Sequence, residues 1–498
     1  MNRLFVGSLL LLLTGCDGDP TQAISPNDVG PEDVALDDTS DSLQTDPRAE
    51  TTTALPGLVL EAQTQRPGNP ESGFEALAYK GYVGCGIPKT LYTIAEAAGA
   101  GFAGPPLPGR DSELPYFLTE YTDPRGFQVV GPNCMSCHAD HINGNFVMGL
   151  GSTTLHFGGL AGQVSSLAGL LPQVQGFVSP DEFAELEKFV QRMVAVAPYI
   201  QPRTAGVNPA DNLAAILFAH RDPLTLAWSE ELLLEPPPME VVALDVPPWW
   251  RMAKKSSMLY SAGGRGDHAR IMMAASTLCV DSVEEAAEID SWFPDVRAYL
   301  MSLSPPDWPW DVNVEQAAVG EGVFTAHCAI CHGTYDEGAH TYPNLWIDID
   351  LVGTDDVLAV GGAQLATRFV EWFNASFYGE AAHLDPKPGY VPPPLDGIWA
   401  TAPFLHNGSV PTLAALLDSS IRPMYWRRSS FSNSDYDADQ MGWAFQSLEA
   451  GQDAEPNESM RVWIYDTTLP GYGNGGHTFG DPLSVDERAA LLEYLKTL

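Results

Sequence analysis

Basic residues are scarce. The chain has 25 Lys and Arg against 64 Asp and Glu, a formal net charge of −39 over 498 residues. A surface of that sign repels nucleic acid and anionic headgroups, so nucleic-acid binding is excluded as a function class. It attracts a basic protein partner, although a plain acidic, solubilising surface reads the same way. Long apolar runs are also missing. Beyond the N-terminal segment nothing approaches about 18 unbroken apolar residues, so no later segment is expected to cross a membrane. Cysteine is sparse, seven residues in all. Four of these fall into two tight pairs, too close in sequence for disulfide formation to be their main use. There is no strand–helix–strand alternation of the kind that frames a thioredoxin-like Cys-x-x-Cys.

The N-terminus is informative. Arg3 precedes Leu4, Phe5, Val6 and the run Leu9 to Leu13, closed by Leu13-Thr14-Gly15-Cys16. A positive end followed by a short apolar stretch is a secretory signal. Leu-Thr-Gly-Cys resembles the bacterial lipobox, which implies acylation of Cys16 and an exported, periplasmic or cell-surface lipoprotein held to the membrane through that lipid alone. Residues 17–55 are rich in Asp, Glu, Ser, Thr and Pro and poor in large apolar side chains. Such a segment buries too little surface to offset its ordering entropy, so it reads as a tether.

The paired cysteines lie in Cys134-Met135-Ser136-Cys137-His138 and Cys328-Ala329-Ile330-Cys331-His332. Cys-x-x-Cys-His is the attachment signature of c-type haem: the thiols add across the vinyl groups and the His reaches the iron as proximal ligand. Two covalently attached haem c groups are therefore expected, with Cys134, Cys137, Cys328 and Cys331 holding the porphyrins and His138 and His332 the irons. A single zinc site built from both pairs would not need the His. Cys85 and Cys279 remain, and a disulfide between them is one reading.

Gly320, Phe324 and Cys328, four residues apart, share a face of a helix predicted over Val314 to His327. Ser484-Val485-Asp486-Glu487 is a capping box opening a last helix through Leu495. This arrangement resembles a class I cytochrome c, whose first and last helices cross at a small Gly. The first motif is less regular: Pro132 stands two residues before Cys134, which argues against a helix entering it. Helices are also predicted over Asp181 to Val196 and Ala210 to His220. The expected architecture is mainly α, with few strands: a signal peptide (1–16), the acidic tether (17–55), an N-terminal haem domain enlarged by extra helices and loops (56–310), and a C-terminal cytochrome c domain (311–498). Pro305, Pro306 and Pro309 mark the linker.

The segment Gly397 to Leu413, with Ala402-Pro403-Phe404-Leu405-His406-Asn407-Gly408 at its centre, resembles the hallmark of bacterial dihaem cytochrome c peroxidases. The maturation enzyme of methylamine dehydrogenase and the dihaem rubber oxygenases share it, and the long spacing between the haem motifs is closest to the rubber-oxygenase layout. The resemblance implies asymmetry. One open haem would react with hydrogen peroxide or dioxygen; the other, six-coordinate, would handle electrons from a redox partner. A Trp between the haems and a bound calcium are further implications. The function is thus expected to be a peroxidase- or oxygenase-like oxidoreductase, the alternative being a pure electron-transfer cytochrome with both haems six-coordinate.

For the sixth ligand of the second haem, His477 in Gly475-Gly476-His477 ranks first, because its glycines let backbone approach a haem closely. Met424 and then His406 come next, His406 reading better as a neighbour of a ligand. For the first haem, His156 stands at a family-like distance from His138, but a packing role reads slightly better. His268 lies in a Gly-rich loop with Arg265 and Arg270; in so acidic a chain these arginines suit haem propionates, and His268 suits an acid/base that assists O–O cleavage. Trp249 and Trp250 fall where an inter-haem Trp is implied, and adjacent residues cannot both point the same way. Lys254 and Lys255 are further candidates for propionates.

Overall fold

The computed structural model describes residues 55–99, 102–335, 340–364, 367–430, 432 and 434–498. Cys16, the signal segment and nearly all of the tether lie outside the described residues. Among those described, no helix is long and apolar enough to cross a membrane.

The helix Val314–His327 forms as its pattern predicts, with Asn313 accepting from the Gln316 N–H at its start. It crosses the C-terminal helix Val485–Leu495, whose capping box is present in full: Ser484 accepts from Glu487 N and the Glu487 side chain returns to Ser484 N. The two helices meet at Gly320. A Cβ there would run into the Ala490 carbonyl and come within 2.9 Å of the Tyr494 Cβ. Phe324 packs on Tyr494 with ring centres 5.3 Å apart.

A second crossing of the same build stands in the N-terminal half, where the sequence showed none. The helix Pro70–Tyr79, capped by Asn69, meets Val283–Met301 at Gly73. A Cβ on Gly73 would run into the Asp295 carbonyl and come within 2.8 Å of the Tyr299 Cβ. Phe74 packs on Tyr299 at 5.5 Å. Gly73 thus does what Gly320 does, with carbonyl and aromatic partners four residues apart in both cases. The two halves differ in how the first helix connects to its haem motif. Val314–His327 runs straight into the short helix Ala329–His332 of the second motif. Pro70–Tyr79 is separated from the first motif by further structure, ending in a small antiparallel sheet of Ile87–Pro88, Gln128–Pro132 and Leu118–Thr122. Gln128–Pro132, not a helix, delivers Cys134, as Pro132 implied.

Strands are more numerous than expected. Fifteen occur among the described residues, none longer than five residues, in six small sheets. They pair loops locally, which period-two patterning over so few residues does not announce. The helices predicted at Asp181 and Ala210 are present as Pro180–Val196, with a capping box from Ser179 and Glu182, and Ala210–Ala219.

Among the described residues, the two largest of four hydrophobic clusters organise the chain. The larger contains Met135, Ala139 and Trp249 together with the helices Pro180–Val196 and Val283–Met301; the other contains Phe324, Trp250, Trp399 and the C-terminal helix. Packing does not respect a division at residue 310. Phe369, Trp372, Phe373 and Tyr378 belong to the larger core, with Trp372 stacked on Phe218 at 4.2 Å. Leu58–Val59 pairs with Leu345–Asp348, and Gly264–Gly266 with Ala382–Leu384. Cys85 and Cys279 form a disulfide across the larger core, Cα atoms 5.5 Å apart.

Candidate haem sites

Each Cys-x-x-Cys-His closes a single helical turn. In the first, Asn133 accepts from Met135 N at 2.9 Å and the Tyr82 hydroxyl accepts from Cys134 N at 3.0 Å. All four motif cysteines are free. Burial pushes the thiols of Cys134 and Cys328 up to about 11 and that of Cys137 to about 12.

His332 is oriented. Its Nδ1 lies 2.8 Å from the Pro393 carbonyl, the usual way in which the far nitrogen of a metal-bound imidazole is held; this leaves Nε2 free as a ligand. The His477 ring centre lies 6.2 Å from that of His332, the ring planes 61° apart. Two metal–imidazole bonds of about 2 Å each, with roughly 1 Å more from each nitrogen to its ring centre, span about 6 Å. The pair therefore fits a single iron between two imidazoles. Burial lowers His477 to about 4, with His332 and Arg422 adding to the effect, and burial lowers His332 as well. Both are thus neutral, the ligating form.

His477 is held from outside. Its φ of 45° is left-handed, a conformation that costs a non-glycine residue about 1 kcal/mol or more unless the surroundings enforce it. Its N–H bonds the Val352 carbonyl at 2.8 Å. Arg422 donates to the carbonyls of Asn474 (2.7 Å), Gly476 (2.7 Å) and His477 (3.2 Å), and on its other side to Ala415 and Leu416 (3.0 Å each). Asn407 ties the same loop down further upstream, donating to the carbonyls of Gly471 and Gly473. The sequence offered no sign of Arg422's role, since its partners are all backbone.

The other two candidates for the sixth position have different surroundings. Met424 is 59 % exposed, on a segment whose backbone pairs with Thr467. His406 is buried, but its Nε2 pairs with the Tyr390 hydroxyl at 3.1 Å and its ring stacks on Tyr390 at 4.3 Å. Burial lowers it to about 3. Its imidazole is thus engaged with Tyr390 inside the protein.

His138 has different surroundings. Its ring stacks on Trp249, centres 5.0 Å apart, and burial lowers it to about 4. Among the described residues no second imidazole is in ring contact with it. His156 has a buried Nε2 without a partner and lies beside Trp463. Trp250 points the other way from Trp249, into the second core, with its Nε1 on the Asp396 carbonyl at 2.8 Å. Arg251 comes next, buried, bonded to the Asp396 carbonyl and to Thr401, and its charge acts on His332. The turn Trp249–Lys254 thus touches the environments of both proximal histidines.

The arginines expected to meet propionates are otherwise engaged. Arg270 forms a fork on Asp290, at 3.0 and 2.8 Å, and lies over the Phe377 ring. Arg66 grips the opposite side of Asp290 and also Asp267. Arg265 donates to the Glu61 carbonyl. Lys254 pairs with Asp396 at 2.7 Å. His268 is buried with both ring nitrogens unpartnered; nothing places it over a haem face. The implied calcium finds no support either: among the described residues no three His, Cys, Asp or Glu side chains are grouped to hold a metal ion.

The chain therefore carries a cytochrome c domain and, with it, haem c. Residues 389–427 match the family model described as RoxA-like, cytochrome c-like. That stretch includes Pro393, Asn407 and Arg422, the residues that orient His332 and hold the His477 loop. Two proteins of Sinorhizobium fredii (strain NBRC 101917 / NGR234) are similar in sequence. Uncharacterized protein y4iM is 27 % identical over 358 residues, 66 % of this chain and 79 % of the relative. Uncharacterized protein y4iJ is 28 % identical over 291 residues, 45 % of this chain and 46 % of the relative.

Proposed function

We propose that the protein is an exported dihaem c-type cytochrome in which the second haem, ligated by His332 and His477, stores and delivers electrons, while the first, on His138, is open to a small oxidant such as peroxide or dioxygen. The observation that carries this reading is the contrast in ligation: His332 has an imidazole at the span of one iron, and His138 has Trp249 at its flank instead. Haem supplies the redox chemistry when bound. The polypeptide holds the porphyrins through Cys134, Cys137, Cys328 and Cys331, fixes the His332 ring through Pro393, and carries Trp249 and Arg251 on one turn between the two sites. A bis-imidazole iron has a lower potential than a His/Met one, which suits a site that gives up electrons. The two crossed-helix pairs support two haem domains. A lipid on Cys16 and a basic redox partner complete the proposal.

A second reading has its own observation. The bare, buried Nε2 of His156 is a candidate sixth ligand for the first haem, which would make the protein a pure electron carrier. EPR of the oxidised protein separates the two. One low-spin and one high-spin haem, the latter altered by hydrogen peroxide, is the expected result. Two low-spin haems that do not change with peroxide or on partial reduction would overturn the oxidoreductase reading.

A further inference from the structure

The turn Trp249–Lys254 leads directly into Lys255. Two further basic groups stand beside it: His268, at the start of the short helix His268–Met272, and Arg297, on the long helix Val283–Met301 that packs against both elements. The His268 ring lies against the backbone of Ser256, the residue after Lys255. His268 is 2 % exposed and neither ring nitrogen has a partner. The Nε of Arg297 is buried and unpartnered. The side chains of Arg297 and Lys255 make no hydrogen bond or ion pair with any described residue.

These groups feel one another. Burial, then Arg297 and Lys255, lower His268 to about 4; burial and Arg251 lower Lys255 to about 8. Holding like charges close together at half-buried positions without a free counter-charge is costly. The chain does not lack acids to spend here, with 64 against 25 basic residues. Yet the nearest, Asp267, is occupied by Arg66 and by the Arg270 N–H. Of the other basic groups expected to meet propionates, Arg270 and Lys254 are each paired with an aspartate, whereas Arg265 donates only to the Glu61 carbonyl and its Nη1 is buried without a partner. The cluster that remains lies on the elements that flank both proximal histidines.

We propose that Lys255, Arg297 and His268 form a carboxylate-binding site whose ligands are haem propionates. Once both vinyl groups of a c-type haem are taken by Cys, its two propionates are its anionic groups, and a fixed cation beside them stabilises the reduced, more negative haem. His268 is on this account a member of the cradle and not a distal acid/base.

The inference rests on the two-haem reading, and the test separates the two. In the holoprotein, Lys255→Gln and Arg297→Gln are each expected to shift the ferric/ferrous equilibrium of one haem at least tenfold toward ferric, about 59 mV for a one-electron couple. Spectroelectrochemistry reads this shift. Lys255→Arg keeps the wild-type potential, and the exposed-pair control Arg203→Gln leaves both potentials unmoved. A free carboxylate is the other source, and octanoate probes it through the Soret band. Saturable octanoate binding that Lys255→Gln abolishes, with potentials unmoved, would overturn the propionate assignment. Two haems by pyridine haemochrome, unmoved potentials and no octanoate binding would overturn the site altogether. Fewer than two haems would overturn the two-haem reading and the inference with it.

Discussion

The two halves of the molecule are built on one device and used differently. In each, a helix near the start crosses a helix at the end, a glycine lets backbone meet backbone, and a Phe–Tyr pair seals the contact. In the second half the first helix runs directly into the haem motif, and one loop brings an imidazole to the span of one iron from His332. In the first half, strands and loops come between helix and motif, and His138 meets the flank of an indole. The shared scaffold therefore leaves the surroundings of the two histidines open. They differ in the loop opposite the motif, which in the second half is held by long-range contacts such as those of Arg422.

The sharpest test of this contrast is His477→Gly. It is expected to remove the low-spin signal of the second haem completely, as read by EPR and the Soret band; an unchanged spectrum would mean that the asymmetry is wrongly assigned. Next in size is removal of the Cys85–Cys279 disulfide with paired Ser substitutions. Denaturant unfolding should show a loss of about 2–5 kcal/mol, with the spectrum of the second haem unaltered, since the bridge belongs to the other core. Gly73→Val and Gly320→Val probe the shared crossing. Each should cost about 1–3 kcal/mol through overpacking, and a silent Gly73→Val in thermal unfolding would break the parallel between the halves. The smallest expected effect is that of Arg422→Gln. Losing its charge-assisted hydrogen bonds, about 1.4 kcal/mol net, should weaken His477 ligation roughly tenfold, seen as a partial high-spin fraction and not a full conversion.

Much of the second half was legible in the sequence. Gly320, Phe324 and Cys328 lie at helical spacing within one segment, and His477 is flagged by its glycines. The crossing at Gly73 was not legible, because its helix lies far upstream of the haem motif it supports and its partners, Asp295 and Tyr299, lie further on still. Arg265 and Arg270 read as free cations for a related reason. Their partners, Glu61 and Asp290, come from other elements, and local charge density cannot show that a fork is already filled. Met424 stood as a candidate on sequence proximity alone, and proximity does not report exposure.

What the sequence determined by itself is the chemistry that depends on short range: thiols and an imidazole close enough on one turn to take one haem, helices with their caps, and a strongly acidic charge balance. What only the tertiary structure decided is which distant groups meet. It set His477 opposite His332, stacked Trp249 on His138, and brought Lys255, Arg297 and His268 into one another's field. Covalent and helical spacing act over a few residues, whereas ligation and charge pairing depend on distances in space that folding alone creates.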